Sequence, residues 1–282
     1  MLEDNSKIEV ETEDAARTPF RQAAPGMFRT KLIVSYDGAD FCGWQRQTRH
    51  KSVQGSLEAA LSKIYDRPIT VLGASRTDSG VHATGQVAHF DAPKDPSLFD
   101  LRYALIRLTP PTIVVRDVFL APPHFHSIAN SVKKTYRYMV LNRVTPSALR
   151  YRYTHWVRFP LDLNYLNEAS KYLIGRQDFK SFQTSGGDVK TTTREIHHAE
   201  WIQKDHDTLE FVIQGNGFLK QMVRNIVGTL LDMNQNGEAP EKLKEIIAAL
   251  DRRKAGATAP PQGLYLSQVY YPSELDRKCR KL

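Results

Sequence analysis

Alternating hydrophobic and polar positions, together with short apolar runs, divide this chain into predicted strands. These strands lie at residues 30–36, 69–74, 86–91, 112–119, 133–141, 194–203, 208–214 and 264–270. Between them, apolar side chains recur at every third or fourth position, as on one face of a helix, at residues 52–64, 98–107, 163–173, 218–231 and 240–250. Strands that alternate with helices in this way predict an α+β fold, with a sheet flanked by helices.

Changes in composition divide the chain into parts. Residues 1–27 are acidic and poor in apolar side chains, which predicts a disordered leader. A first α/β half is predicted at residues 28–125 and a second at residues 131–272, with a proline-containing boundary between them. Residues 273–282 form a basic tail.

Composition narrows the class of protein. A chain of 282 residues with 41% hydrophobic and 25% charged residues can build a core and remain soluble. No apolar run approaches the roughly 20 residues that a membrane span needs, and the acidic start is unlike a signal peptide. With only two cysteines, Cys42 and Cys279, we expect no disulfides and a cytoplasmic location.

The distribution of charge favours a polyanionic partner. The formal net charge is +8, but residues 1–16 carry six acidic side chains and one lysine, a net of −5, so the remainder carries +13. A basic body with an excess of this size suits the phosphates of a nucleic acid, although many basic proteins bind none.

One segment, Gly73 to Gln86 (GASRTDSGVHATGQ), concentrates the candidate chemistry. It places the carboxylate of Asp78 in a tight turn between two predicted strands, where a rigidly held acid can serve as a nucleophile or general base. The alternative is that Asp78 only shapes its own turn through bonds to nearby backbone N–H groups. We expect His82 in this segment, and His126 elsewhere, to form structural hydrogen bonds and not to carry protons.

This segment resembles the signature of the TruA family of bacterial tRNA pseudouridine synthases, approximately AGRTDAGVHAxGQ. Ser75 replaces the usual glycine and Ser79 the commoner alanine; neither change alters the acid or the arginine. Further blocks resemble the same family in the same order: YDGADFCGWQRQ at 36–47, SVQ at 52–54, KTYRY at 134–138, DFKSF at 178–182, MVRNIVG at 222–228 and GLYL at 263–266.

The resemblance implies a fold and an activity. The family has two RRM-like halves that share a central, mostly antiparallel sheet, with the active site in the cleft between them. It converts uridine to pseudouridine at positions 38, 39 and 40 of the tRNA anticodon stem-loop, by an aspartate nucleophile and flipping of the base. It uses no metal or cofactor, it is homodimeric, and one tRNA contacts both subunits. Asp78 matches the catalytic residue.

The resemblance also implies roles for three further residues. Arg76 would contact the RNA and help fill the space left by the flipped base; the alternative is a local ion pair in the turn. Tyr136 would stack on the uracil, although Tyr138 shares its face of the predicted strand. Arg224 would pair with Asp78 and keep it ionised and oriented, whereas the pattern alone favours a solvated basic stripe with Lys220.

Other basic residues are candidates for gripping RNA. Arg46, Lys133 and Lys134 flank the family motifs and are predicted phosphate contacts. In residues 149–159, arginines alternate with aromatic residues; an extended segment would place Arg150, Arg152 and Arg158 on one face. That face could bind phosphate or merely protect a sheet edge, and the pattern favours neither.

Two other functions remain open at this point. A pseudouridine synthase with a different RNA target would carry the same motifs, and an RNA-binding protein or chaperone without turnover would share the basic surface. Zinc-binding and nucleotide-binding motifs are absent from the sequence, so we expect no metal and no cofactor.

Overall fold

The computed structural model describes residues 22–186 and 189–282. Most of the predicted leader, residues 1–21, therefore lies outside the described residues. Residues 22–27 are coil and turn, and the backbone N–H of Ala23 donates to the carbonyl of Pro123 at 3.0 Å. Among the described residues, no helix is long and apolar enough to cross a membrane.

The strands agree broadly with the hydrophobic pattern. In chain order they are β1 (Phe28–Tyr36), β2 (Leu72–Gly73), β3 (His82–Ala92), β4 (Ile113–Leu120), β5 (Lys133–Asn142), β6 (His155–Val157), β7 (Gly175–Asp178), β8 (Thr193–Asp205), β9 (Thr208–Gly215), β10 (Leu264–Tyr270) and β11 (Arg280–Lys281). They form one sheet in the order β11-β4-β1-β3-β10-β5-β9-β8-β7, with β2 beside β3 and β6 beside β5. Only β3–β10 and β5–β6 are parallel pairs among the described strands.

The α-helices of the described chain number six: α1 (Val53–Tyr65), α2 (Leu101–Leu108), α3 (Leu163–Ser170), α4 (Met222–Gln235), α5 (Lys242–Ala248) and α6 (Ser273–Arg277). Helix α1 packs against α2, and α3 packs against α4 and β8. The predicted mixed α+β fold with a mostly antiparallel sheet is confirmed at this level.

Helix α1 forms where the sequence predicts it. The side chain of Ser52 caps the helix by accepting from the backbone N–H of Gly55 at 3.2 Å. Leu57 and Leu61 are fully buried and belong to the same core cluster as Leu32 and Val34 of β1. Burial of one such leucine stabilises the fold by roughly 1.5–3 kcal/mol, so this apolar stripe anchors the helix to the sheet.

The strand predicted at residues 69–74 is wrong apart from β2. The backbone of Val71 bonds to side chains of α1 and not to a neighbouring strand. Its N–H donates to Glu58 Oε1 at 3.0 Å, and its carbonyl accepts from Gln54 Nε2 at 2.9 Å. Since both groups are already satisfied by α1, the apolar run stays irregular until Leu72.

The helix predicted to begin at residue 218 begins at Met222. Gln221 has a left-handed backbone, with φ of +59°, which a continuous right-handed helix excludes. Phe218 and Lys220 therefore precede α4 and do not lie on its faces. The 149–159 segment is not extended throughout, so its arginines do not share one face of a strand: residues 148–153 form a turn, and β6 is the strand of this segment.

Strand β10 connects the two parts of the sheet. It pairs in parallel with β3 through Tyr265 and Leu266, and antiparallel with β5 from Lys133 to Tyr138. Past β10 the chain returns to the first part of the sheet, where β11 pairs with β4 and Lys281 Nζ lies 2.5 Å from Asp117 Oδ1. The basic tail is thus folded onto the edge strand.

Candidate active site

The Asp78 turn (residues 75–81) joins β2 to β3 and rests on the segment after β1. The backbone N–H of Trp44 donates to the carbonyl of Thr77 at 3.1 Å. The carbonyl of Phe41 accepts from the N–H of Gly80 at 3.3 Å and from Ser79 Oγ at 3.2 Å. These hydrogen bonds attach the residues on both sides of Asp78 to the segment after β1, so the carboxylate has a defined position.

A glycine allows this close approach. Gly43 has φ of +85°, and a Cβ added there would lie 2.3 Å from the carbonyl oxygen of Thr77. Both the backbone conformation and the space therefore require glycine. The same segment contributes Gly38, where a Cβ would lie 1.9 Å from the carbonyl oxygen of Val81. The 36–47 block thus serves as a support on which the Asp78 turn lies.

Asp78 forms an ion pair with Arg224 of α4. Arg224 Nη1 lies 3.1 Å from Asp78 Oδ2, and the two side chains are 11% and 30% exposed. Arg224 is itself oriented, because its Nε donates to the carbonyl of Ala259 at 2.7 Å. The solvated stripe that the pattern favours is wrong for this arginine: Lys220 lies before the helix, where its Nζ donates to the carbonyl of Ser185. The arrangement gives Oδ2 of Asp78 an oriented, positively charged partner.

Tyr136 on β5 also reaches the Asp78 turn. Its side chain is 6% exposed, and its hydroxyl lies 2.8 Å from Ser75 Oγ. Its ring contacts Phe218 edge-on, with centroids 5.0 Å apart. Burial, with the nearby charge of Asp78, raises the pKa of Tyr136 to about 12, so the phenol is protonated at neutral pH. Tyr138, two residues on, donates instead to the carbonyl of Pro260 and does not bond to the turn.

Two polar pairs that could not be predicted from the sequence lie beneath the turn. Thr77 Oγ1 lies 2.8 Å from the hydroxyl of Tyr36, and Gln86 bonds to both the N–H and the carbonyl of Ser75, at 3.3 and 2.6 Å. Gln86 and Thr77 belong to the signature segment, and this alone could have marked them as site residues. The sequence could not identify their hydrogen-bond partners, because a sequence pattern shows spacing along the chain and not proximity in space.

The remaining predicted site residues lie in three places: on the Asp78 turn, before α1, and on β5. Arg76 is exposed on the Asp78 turn. Arg46 is 68% exposed and pairs with the buried Glu58 at 3.1 Å. On β5, Lys133 Nζ lies 4.7 Å from the ring centroid of Tyr270, and Lys134 is buried on the face that carries Tyr136. The structure therefore brings Asp78, Arg76, Tyr136 and Arg224 around one turn, and places Arg46 beside α1.

A second polar cluster adjoins the turn, and we call it the rim cluster; its residues are Asp37, Asp40, His82, Arg152, Tyr153 and Tyr265. His82 Nδ1 accepts from the N–H of Gly38 at 3.0 Å, and its Nε2 lies 3.0 Å from the carbonyl of Arg152. As predicted, His82 therefore forms structural hydrogen bonds. Burial lowers its pKa, and its ring stacks on Tyr265 with centroids 4.8 Å apart.

Two arginines of the 149–159 segment, Arg150 and Arg152, contact protein groups. Arg152 Nη2 lies 2.7 Å from Asp40 Oδ1, and the hydroxyl of Tyr153 donates to Asp37 Oδ2 at 2.9 Å. Arg150 Nη1 donates to Thr208 Oγ1 at 2.7 Å. Through the first two contacts, this turn ties the chain after β5 to the chain after β1.

Within the described ranges, 22–186 and 189–282, no group of three or more histidine, cysteine, aspartate or glutamate side chains is placed to hold a metal ion. The chemistry available to the site is therefore that of a carboxylate, an arginine, a buried phenol and the turn's backbone. A carboxylate in this setting can act as a nucleophile or a general base.

The family model and the sequence relatives agree with one another. A family model described as "tRNA pseudouridine synthase" matches residues 32–117 and 169–272. A tRNA pseudouridine synthase A of Bdellovibrio bacteriovorus is 49% identical over 259 residues, covering 90% of this chain and 99% of the relative. Proteins of the same name from Brevibacillus brevis and Maridesulfovibrio salexigens are 41% and 40% identical, each over 87% of this chain and over 100% and 91% of the relative.

Proposed function

The chain belongs to the tRNA pseudouridine synthase A (TruA) family, and from this premise we propose that Asp78 is the nucleophile with which it converts uridine to pseudouridine in tRNA. The observation that supports the role most directly is the ion pair at 3.1 Å between Asp78, on the supported turn before β3, and Arg224 of α4. Mere binding of RNA would not require a carboxylate held towards a polyanion.

The reaction is an isomerisation, so its atoms balance without a second substrate. The bond between C1′ and N1 of the uridine breaks, the uracil turns, and a bond forms between C1′ and C5. The C5 proton leaves, and N1 gains one. Attack by Asp78 at ribose C1′ or at uracil C6 would each divide the reaction into easier steps. Arg224 would hold the carboxylate in the orientation for either attack.

The substrate uridine would leave its stack to reach the turn. Asp78 is 30% exposed, and the turn beneath it is packed against Phe41 and Trp44. A base inside a stem cannot approach a carboxylate held in this way, so extrusion is needed. The exposed Arg76, two residues from Asp78, would occupy the vacated space, and Tyr136 would contact the flipped uracil.

The proposed targets are uridines 38, 39 and 40 of the anticodon stem-loop, as the family resemblance implies. Recognition of stem shape and backbone suits modification at adjacent positions. Arg46, Lys133 and Lys134 would contact phosphates, with support from the net charge of +13 outside residues 1–16. For Lys134, which is buried, such a contact would need the RNA to come close to the face of β5 that carries Tyr136.

We also propose that the sheet consists of two RRM-like halves with the active-site cleft between them, at residues 28–125 and 131–272. The chain order β1-α1-β2-β3-α2-β4 is a βαββαβ unit with spatial strand order β4-β1-β3-β2. Apart from the short strands β6 and β7 and the helix α5, the chain order β5-α3-β8-β9-α4-β10 is a second such unit, with strand order β10-β5-β9-β8. The same topology occurring twice supports the proposal.

A homodimer and a cytoplasmic location belong to the same proposal. The dimer rests on family resemblance, and one tRNA would contact both subunits. Light scattering of the protein at working concentration tests it: a mass near the monomer's 32.1 kDa would contradict the dimer.

Tritium release tests the reaction and the nucleophile together. A tRNA transcript labelled at uracil C5 is incubated with the wild type, with Asp78→Asn, and with Asp66→Asn as a matched control. Asp66 is an exposed aspartate at the end of α1, so its substitution removes the same charge outside the site. We expect release by the wild type and the control, and none by Asp78→Asn. Transcripts with a single uridine at 38, 39 or 40 then define the target.

The alternatives predict different outcomes. A non-catalytic RNA-binding protein or chaperone would bind the tRNA while no variant released tritium. A pseudouridine synthase with another target would release none from the anticodon-arm transcripts but would do so from another RNA. Full turnover by Asp78→Asn would exclude the proposed nucleophile.

A further inference from the structure

Ser75 stands at the head of the Asp78 turn, and its side chain points to Tyr136. It is 8% exposed, and its Oγ lies 2.8 Å from the phenolic oxygen of Tyr136, a residue 61 positions away in the sequence. The backbone of Ser75 is held on both sides by Gln86, whose side chain is fully buried. Because the backbone is fixed, the hydroxyl can change position only by rotation about χ1.

Tyr136 is constrained from its other side. Phe218 contacts its ring edge-on at 5.0 Å, and β5 holds its backbone between β9 and β10. Since the side chain is 6% exposed, its hydroxyl can bond only to groups lining its own pocket or to a bound substrate. Ser75 is the partner present in that pocket.

The direction of this hydrogen bond has a chemical consequence. A phenol has one proton to donate and lone pairs with which to accept. The negative charge of Asp78 contributes to the raised pKa of Tyr136 and favours an arrangement in which the phenolic proton faces the carboxylate. Either hydroxyl of the pair can donate; with Ser75 as the donor, the phenolic proton is free for a group in the site.

We infer that Ser75 is a positioning residue for Tyr136: its hydroxyl donates to the phenolic oxygen, fixes the rotation of the O–H group, and directs that proton towards the base held at Asp78. This inference rests on the proposed function and adds a residue to it. The family signature has glycine at this position, which offers no hydroxyl, so the contact is a feature of this chain and not of the signature.

Two contacts then connect the turn to the part of the sheet after residue 132. Arg224 contacts the carboxylate of Asp78, and Tyr136 contacts the hydroxyl of Ser75. By contrast, the neighbouring Thr77 bonds to Tyr36 of β1 and so stays within the first part of the sheet. Ser75 therefore links the nucleophile's turn to the residue expected to contact the base.

A double-mutant cycle tests the inference. Single-turnover rates of tritium release, with enzyme in excess, and separate binding constants for the same tRNA are measured for the wild type, Ser75→Ala, Tyr136→Phe and the double variant. We expect Ser75→Ala to lower the rate about fivefold, as loss of one buried neutral hydrogen bond does, and to change tRNA binding by less than about twofold. In the Tyr136→Phe background, Ser75→Ala should have no further effect.

Two further variants separate positioning from packing. Ser75→Gly, which restores the signature residue, should slow the reaction as much as Ser75→Ala, because only the hydroxyl matters. Ser131→Ala is the matched control: Ser131 is also buried, and its Oγ donates to the carbonyl of Ile128 at 2.9 Å, away from the turn. It should leave the rate unchanged.

The outcomes are distinguishable from failure of the proposed function. An unchanged rate for Ser75→Ala, or equal losses with and without the Tyr136 hydroxyl, would overturn the positioning role while wild-type turnover still supported the enzyme. If the wild type released no tritium from any tRNA, the proposed function and this inference would fall together.

Discussion

Two of the polar junctions between the chain before residue 121 and the chain after residue 132 lie beside the Asp78 turn, and they differ in burial. The first, the site junction, consists of the pairs Asp78–Arg224 and Ser75–Tyr136, whose side chains are largely buried. The second is the rim cluster, where the pair Arg152–Asp40 is 35% and 53% exposed. Both adjoin the Asp78 turn, and both combine charged groups with a tyrosine.

The difference in burial suggests different roles for the two junctions, one in catalysis and one in holding the two parts of the chain together. Water and salt screen an exposed ion pair, so such pairs contribute little to stability or to orientation. In a partly buried pair the electrostatic attraction is stronger, and removal of one partner leaves the other charge partly desolvated without a counter-charge. We therefore expect changes at the site junction to affect catalysis, changes at the buried His82 of the rim cluster to affect folding, and changes at its exposed ion pair to affect neither strongly. The following experiments test that division.

The largest effect is expected at Arg224. Arg224→Gln should lower the single-turnover rate about 100-fold, equivalent to about 2.7 kcal/mol, because the Asp78 carboxylate loses its charged partner. Arg224→Lys should recover part of the loss, since it keeps the charge but not the second bond, to Ala259. Lys220→Gln is the control and should change the rate less than twofold. Equal rates for Arg224→Gln and the wild type would remove the role of the ion pair.

A smaller effect is expected beneath the turn. Gly43→Ala should destabilise the protein by about 2 kcal/mol, because its φ is +85° and the new Cβ would lie 2.3 Å from the carbonyl of Thr77. Gly237→Ala separates the two causes: its φ is +64°, with no atom within 4 Å of the added Cβ, and it should cost only about 1 kcal/mol. Urea unfolding measures both; equal losses would mean that the contact with Thr77 relaxes freely.

The rim cluster should make stability depend on pH. Burial lowers the pKa of His82, so below pH 6.5 the unfolded chain binds this proton more readily than the folded protein does. Stability therefore falls as the pH drops below 6.5 and is recovered as the pH rises. His82→Gln should make the urea midpoint less dependent on pH between about 6.5 and 5. The slope should not vanish, because burial also lowers the pKa values of His89, His126 and His155. Parallel curves for the two proteins would contradict the prediction.

The smallest effect is expected at the exposed pair of the rim cluster. Arg152→Ala should leave the single-turnover rate within twofold of the wild type and shift the Tm by no more than about 1 °C, because solvent screens its contact with Asp40. A loss of activity comparable with that of Arg224→Gln would show that burial does not separate the two junctions.

Local features of this fold could be predicted from the sequence. The Ser52 cap acts within one helical turn, so spacing alone places the start of α1. The signature segment contains both the Asp78 turn and the residues on either side of it. In both cases the groups that determine the structure are neighbours in the chain.

Features that depend on distant partners could not be predicted. The run before Leu72 reads as a strand, but side chains of α1 satisfy the backbone of Val71. Phe218 reads as the buried side of a helix, yet the left-handed backbone of Gln221 leaves it outside, where it packs on Tyr136. The contact of Ser75 with Tyr136 spans 61 residues, and no periodicity shows it.

The position of β10 has a consequence for the synthesis of the protein. This strand lies between β3 and β5 in the sheet but follows nearly all of both parts in the chain. A chain growing on the ribosome carries the complete Asp78 turn and α4 before residues 264–270 are made, and domains generally fold from the N-terminus first. The strand that bridges the two parts of the sheet is thus missing until almost the end of translation. A chain that stops before it keeps both Asp78 and Arg224 but lacks the element that joins their two parts of the sheet.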